Sequence, residues 1–333
     1  MFRRPNRLML TLAVAGLASA AAAQTAAPVP LAVSTVVVNP EDLLDTNKTV
    51  VVPTAYVTLI TDGRVAATKQ SGFFSSGNNT AKASASYRVA GLDKAYAQQL
   101  AQAAQNDFVS QLRAAGYTVL TYAEVKERDF VKAAQRETEV GALGLPVKSE
   151  GGNNFVTAAP SDEQHFKSGF AGGAFAEFQS GGKSRFTDAT LIIPHYTFAS
   201  PQAWAEGSRG YKSVSAEANV APGMNLSAAS AHWMGQPRSR MMRGIPGVAT
   251  KEQVINTTEK AGELAKSADT TPQSANALGS ALSALTGAGN IQRSSGEYVL
   301  TIDREAYTAG VLNGVRGFNA EVAKAAAAAT AAP

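Results

Sequence analysis

The pattern of apolar and polar positions between Leu92 and Glu139 reads as a helix, a glycine stop, a short strand and a second helix, the unit around which the chain is organised. Tyr96, Leu100, Ala104, Phe108 and Leu112 recur every four residues and line one side of a helix, while Gln98, Gln102, Gln105 and Arg113 fall on the other. Asp93 suits the N-cap, and Gly116 suits the position after the last turn. Tyr117–Leu120 predicts a short strand. Thr121 and Glu124 then form a capping box for a second helix, from Tyr122 to about Glu139. That helix is highly charged, pairs Glu124 with Arg128 at i,i+4, and has Val125, Val131 and Ala134 as its few apolar contacts, which places it on the surface.

Upstream, Leu31–Val38 and Thr49–Ile60 are rich in β-branched residues and predict strands, with Pro53 putting the second at a sheet edge or delaying its start. Asp62–Gly63 reads as a hairpin turn, Arg64–Phe74 as its return strand, and residues 77–80 as another turn. Ala81, Ala83, Ala85, Tyr87 and Val89 alternate with Lys82, Ser84, Ser86 and Arg88, the pattern of a half-buried antiparallel strand rather than a parallel core strand. Residues 141–185 are glycine-rich, scatter Phe155, Phe166, Phe170, Phe175 and Phe178 without a period, and read as a flexible insertion or a partner-binding loop.

Downstream, Asp188–Phe198 predicts a central strand through Leu191, Ile192 and Ile193. Tyr211–Val220 and Met224–Trp233 flank Ala221-Pro222-Gly223 as a second hairpin. Thr250–Ala265 and Asn276–Leu285 have helical spacing, with a break at Asp269–Ser274. Glu297–Ile302 is the last strand, and Asp303 caps a long helix carrying Tyr307, Val311, Val315, Phe318 and Val322 on one stripe. Gly310 and Gly314, beside that stripe, let another element come close. The pattern predicts a mixed α/β (α+β) fold with a largely antiparallel or mixed sheet, packed helices and a Gly-rich insertion. It divides into an α/β domain over 31–200 and a part over 201–326, made of a hairpin, helices and a terminal β–α unit, which either stands apart or belongs to the same domain.

The ends change the reading of charge and place. Arg3, Arg4 and Arg7 precede an apolar run from Leu8 to Leu17 and then small residues, the layout of a secretory signal peptide (residues 1–23) cut between Ala23 and Gln24. The run is shorter than the roughly 20 residues of a spanning helix. Residues 24–30 read as a disordered leader and 327–333 as a disordered tail. Removing the signal takes three arginines with it, so the formal charge falls from +4 to +1 and compositional support for nucleic-acid binding goes with it. The chain has no cysteine, which excludes disulfides, thiolate metal sites and a lipid-modified cysteine. The expected location is periplasmic or secreted.

A strand at Val50–Ile60, a helix at Asp93–Ala115, the turn and strand Gly116-Tyr117-Thr118-Val119-Leu120, a charged helix, and the later strand Thr187-Asp188-Ala189-Thr190-Leu191-Ile192-Ile193 follow one another. Over about 90 residues this order resembles the small α/β domain of bacterial envelope assembly proteins: curli-secretion-type lipoproteins and the amino-terminal domain of the TolB family. The resemblance implies an envelope assembly role and carries no catalytic motif, so no functional residue transfers. The missing lipoprotein cysteine and the long Gly-rich insertion depart from the pattern and argue against a lipid-anchored secretion pore.

Chemistry is sparse. His165, His195 and His232 lie far apart with no metal-ligand spacing, and His195, in an apolar strand, reads as a hydrogen-bonded structural histidine. Ser180-Gly181-Gly182-Lys183-Ser184 lacks the first glycine of a phosphate loop, since position 177 is Glu. Trp204 and Trp233 read as core or rim residues. Arg238, Arg240 and Arg243 have no acid nearby and read as a solvated loop, a contact for an anion or acidic partner, or a processing site. No catalytic, cofactor-binding or metal-binding residue is assigned, and no cofactor is expected. The leading expectation is an exported, non-enzymatic envelope protein that binds other envelope proteins or its own copies, without nucleic acid and with no membrane association predicted. The alternatives are an outer-membrane assembly or pore component using hairpins at 64–90 and 211–233, and a metal- or anion-dependent hydrolase of unfamiliar type whose activity substitution of His195 and His232 would remove.

Overall fold

The computed structural model describes residues 30–39, 48–70, 80–167, 189–209, 214–234, 246–256, 260–269 and 291–331. The expected signal peptide, nearly all of the leader, the turn at 77–79, the helix Asn276–Leu285 and residues 168–185 of the insertion lie outside them. Its first half holds β1 (Thr35–Val38), β2 (Thr49–Val52), β3 (Tyr56–Gln70), β4 (Thr80–Ala90), α1 (Lys94–Ala114), β5 (Thr118–Thr121), α2 (Tyr122–Val125), α3 (Asp129–Ala133), β6 (Val147–Glu150), β7 (Asn153–Ala158) and β8 (Thr190–Ala199). Then follow β9 (Gln202–Arg209), β10 (Val214–Ala221), β11 (Met224–Met234), β12 (Gly247–Thr250), β13 (Val254–Asn256), β14 (Gly262–Asp269), β15 (Ile291–Ile302) and α4 (Arg304–Ala331).

Thirteen strands form one mixed sheet whose main path is β1-β12-β11-β8-β3-β4-β15-β14. β2 with β5 joins it beside β8, β7 with β6 beside β3, and β13 beside β11, while β9 and β10 pair separately. The fold is therefore mixed α/β, as the pattern predicts. Strands from 31–200 and 201–326 interleave, β1 with β12, β8 with β11 and β4 with β15, so the sheet is not divided at residue 200.

The run Thr49–Ile60 is two strands, not one. β2 and β3 follow the same line along β8, with Val51 opposite Leu191 and Tyr56 opposite His195. Pro53 has no N–H to give a ladder and breaks the line at residues 53–55. Neither strand is at an edge: β2 runs parallel between β5 and β8, and β3 is flanked by β8 and β7 at its start before it pairs with β4. Asp62–Gly63 is likewise no turn, because β3 runs through it. A Cβ on Gly63 would stand 2.1 Å from Asn153 Oδ1, which accepts from the Tyr87 hydroxyl (3.2 Å), so the glycine serves close packing rather than a turn. β4 keeps the expected alternation, but it is antiparallel to β3 and parallel to β15.

α1 forms as expected. Asp93 Oδ1 accepts from Tyr96 N–H (2.8 Å), and Gly116 takes φ +89° after the last turn. The capping box is present too, Glu124 accepting from Thr121 N–H at 2.6 Å, yet the helix it starts lasts one turn and a second short one follows. Arg136 ends the helical path: its guanidinium donates to the Val131, Ala134 and Glu163 carbonyls and lies 4.3 Å from the Phe166 ring centroid. Residues 141–167 of the supposed insertion are ordered into β6, β7 and a 3-10 turn at Asp162–Gln164.

Beyond β8 three expectations fail. β10 and β11 flank Ala221-Pro222-Gly223 without pairing; β10 pairs with β9, and β11 with β8. Thr250–Ala265 holds strands β13 and the start of β14, because pairing of β14 with β15 (Leu264 opposite Leu300) outweighs a weak helical spacing. The expected tail is helical as far as Ala331.

α1 and α4 cover one face of the sheet. Leu100, Phe108 and Leu112 of α1 and Tyr307, Val311, Val315, Phe318 and Val322 of α4 are buried with Val57, Leu59, Tyr196, Phe198 and Trp233. Asp303 Oδ1 caps α4 by accepting from the Glu305 and Ala306 N–H groups. Arg304 joins the two helix starts, pairing with Asp93 and lying 4.8 Å from the Tyr96 ring centroid. A Cβ at Gly314 would stand 2.9 Å from Phe198, and one at Gly317 would stand 2.0 Å from the Leu31 carbonyl, so both glycines admit close neighbours. On the opposite face Val51, Tyr56, Leu191 and Ile193 pack against Val125, Val131, Ala134 and Phe166.

Two stability changes follow. The Tyr307 hydroxyl is fully buried without a protein partner, so Tyr307→Phe raises the unfolding free energy by about 1 kcal/mol in urea titration. Gly317→Ala drives a methyl into the Leu31 carbonyl and lowers it by about 1–3 kcal/mol by the same measurement.

Candidate functional site

The break at Pro53 creates an electrostatic problem inside the sheet, because the carbonyls of Val52 and Pro53 lose strand partners. Two glutamine side chains fill the vacancy. Gln105 Nε2, from α1, donates to the Val52 carbonyl (3.0 Å), and Gln164 Nε2, from the 3-10 turn, donates to the Pro53 carbonyl (3.0 Å). The two amides also meet, Gln164 Nε2 lying 3.3 Å from Gln105 Oε1. Both are buried, so Gln105 does not sit on the solvent face that helical spacing assigns it.

These glutamines form the inner wall of a groove of about 500 Å³ outside the carboxyl ends of the parallel strands β2 and β5. That end of parallel strands is where open α/β sheets hold ligands. Gln102, Asn106 and Arg113 of α1 line one side; Thr121 and Tyr122, at the end of β5, line the other. Gln102 Nε2 donates to Asn106 Oδ1 (2.9 Å) and Arg113 Nη2 to the Val119 carbonyl (2.9 Å), which orders the side chains along the rim. Tyr122 is held by an edge contact with Phe166, ring centroids 6.4 Å apart. The Thr121 N–H and hydroxyl hold the Glu124 carboxyl below its usual range, with Arg113 adding to the effect. The groove thus offers side-chain amides, hydroxyls, one guanidinium and one aromatic ring. Sequence reasoning placed Gln102 and Arg113 on a polar helix face and missed Gln164; the signal was Pro53 inside an apolar strand run.

Two of the three histidines pack against Tyr56, on the sheet face away from α1 and α4. Its ring centroid lies 5.3 Å from His165 and 4.8 Å from His195. The Tyr56 hydroxyl donates to the Phe166 carbonyl (3.2 Å) and accepts from Phe166 N–H (3.1 Å). His232 faces the same side from β11, diagonal to His195 across the β8–β11 pairing. His195 is not the hydrogen-bonded histidine expected: its Nε2 is sealed from solvent and has no partner. Burial pushes the Tyr56 phenol up, and it pushes His195 down to about 4, with repulsion from His232 contributing. His165 and His232 are lowered by burial as well. Among the described residues no group of three or more histidines, cysteines or carboxylates is arranged to hold a metal.

Of the other residues singled out in the sequence, Trp233 is in the core and Trp204 is exposed on β9. Arg238, Arg240 and Arg243, and Ser180–Ser184, lie outside the described residues.

A histidine lowered in the folded state protonates first in the unfolded chain, so its stabilisation is complete above about 6.5 and is lost as pH falls towards 4. Thermal unfolding followed between pH 7 and 4 therefore shows a falling Tm, and His195→Gln flattens that fall. The depressed carboxylates add to the fall only at its lower end, below about pH 5, where unfolded Asp and Glu begin to take up protons. Compared with family models, with curated proteins and with solved structures, the chain gives no match.

Proposed function

We propose that the chain is an exported envelope protein that works by binding protein, either other envelope proteins or its own copies, rather than by turning over a substrate. The basic, apolar and small-residue order of residues 1–23 supports export. The observation that carries the binding role is β1. Among the described residues it ends the main path of the sheet and pairs only with β12, and it exposes Val36 (42 %) and Val37 (36 %). An edge strand with unpaired backbone groups and outward valines is a template for adding a strand from another chain. Arg238, Arg240 and Arg243 supply a candidate contact for an acidic partner.

One observation favours the outer-membrane reading as a second proposal: β3 and β4 form a long antiparallel pair over Asp62–Gln70 and Thr80–Arg88. Its companion hairpin at 211–233 does not exist as such. Among the described residues no helix is long and apolar enough to cross a membrane, which says nothing of strands.

Cell fractionation with an antibody separates the two. The binding-protein reading expects recovery in periplasm or medium, and recovery in extensively washed membranes overturns it in favour of the second. Lysines at the edge block strand addition. Val36→Lys with Val37→Lys therefore removes in vivo crosslinks to partner or self while leaving Tm within about 2 °C, since exposed substitutions cost about 0.5 kcal/mol or less.

A further inference from the structure

We propose that the groove outside β2 and β5 binds a short saccharide. This goes beyond protein binding at β1 and uses a different part of the molecule. The volume of about 500 Å³ lies within the roughly 300–1,000 Å³ of small-ligand sites. Its inner wall is already built: Gln105 and Gln164 are buried and fixed by the Val52 and Pro53 carbonyls, so they need no reordering when a ligand enters.

The rim decides the ligand class. Gln102 and Asn106, one helical turn apart, present amides that both donate and accept, and Ser110 adds a hydroxyl one turn further on. Groups of that kind match vicinal hydroxyls, which also donate and accept. Arg113 has N–H groups beyond the one given to the Val119 carbonyl, all of them donors to a ring or hydroxyl oxygen. Tyr122, braced by Phe166, offers an aromatic face for the C–H side of a pyranose ring. A peptide fits less well. Peptide recognition draws on a free strand edge or on apolar side-chain pockets, and the aliphatic members of this lining are Val109 and Ala123 alone.

Isothermal titration of the purified chain, without residues 1–23, tests this with maltose, N,N′-diacetylchitobiose and trialanine. The expected result is saturable binding of at least one sugar with a Kd in the millimolar range or tighter, weakened about tenfold or more by Gln102→Ala with Asn106→Ala. Both residues are exposed, so the variant keeps the parent Tm. The proposal is overturned if neither sugar binds up to about 20 mM, whether or not trialanine does, or if binding survives the double substitution unchanged. Because the measurement uses pure protein, it is independent of cell location and of partner capture.

Discussion

A proline in the middle of a strand run governs much of this molecule. The ring of Pro53 removes one ladder donor, and the chain must leave the line of β2 and rejoin it as β3 against the same neighbour, β8. The carbonyls left behind are buried between layers, where an unpaired acceptor costs about 1–3 kcal/mol. Gln105 and Gln164 meet that demand from two different segments. This ties α1 to the sheet, ties the 3-10 turn to α1, and leaves a polar groove where β5 stops. Lys94 and Gln98 reinforce the tie by binding Asp162 at the start of the same turn (2.6 and 2.9 Å).

The helical layer is joined by hydrogen bonds at several points along its length. Tyr96 meets the Arg304 carbonyl (2.9 Å), Gln111 the Arg316 carbonyl (3.3 Å), and Tyr117 the Ala326 carbonyl (3.1 Å), each a contact between α1 or its exit and α4. At the centre, the Tyr196 hydroxyl donates to Asn319 Oδ1 (2.6 Å), and Asn319 Nδ2 donates to Asp107 (2.8 Å), so one chain of bonds links β8, α4 and α1. Burial, with the Asp107 charge adding to it, keeps the Tyr196 phenol protonated. Segments over 200 residues apart in sequence are thereby fixed in register above the central strand.

Local signals were legible and long-range ones were not. The caps at Asp93 and Asp303, the Gly116 exit, the α4 stripe and the buried triplet Leu191–Ile193 depend on neighbours within a few residues, and sequence states them directly. The wrong assignments share a cause: each depended on a partner distant in the chain. Asp62–Gly63 resembles a turn until Asn153 is seen to occupy the place of a Cβ. The helical spacing of Val254, Ala261 and Leu264 cannot announce that β15 pairs with β14. Nor does a charged helix from Tyr122 announce that Arg136 will be drawn onto Phe166 and the Glu163 carbonyl. The groove was half legible, since Gln102 and Arg113 were placed on a polar face, but Gln164 belongs to a stretch with no period of its own.

The contrast between the two polar regions bears on where chemistry can occur. On the Tyr56 face of the sheet burial raises the phenol and lowers all three histidines, so near neutral pH every one of these groups is held in its uncharged form. Neutral rings tilted against Tyr56, His165 at 5.3 Å and His195 at 4.8 Å between centroids, behave as packing, and the sealed Nε2 of His195 has no access to a reactant. Across the sheet break the reverse holds. Gln105 and Gln164 are buried and spend donors on the backbone, while Gln102, Asn106, Ser110 and Arg113 stand exposed on the rim, with the Gln102 amide bonded to Asn106 and one Arg113 N–H to the Val119 carbonyl. A site requires polar groups that are positioned yet not consumed by the fold. Of these two clusters the groove meets that condition, because the carbonyls freed by Pro53 position its wall while the amides, hydroxyl and guanidinium of its rim stay open to solvent.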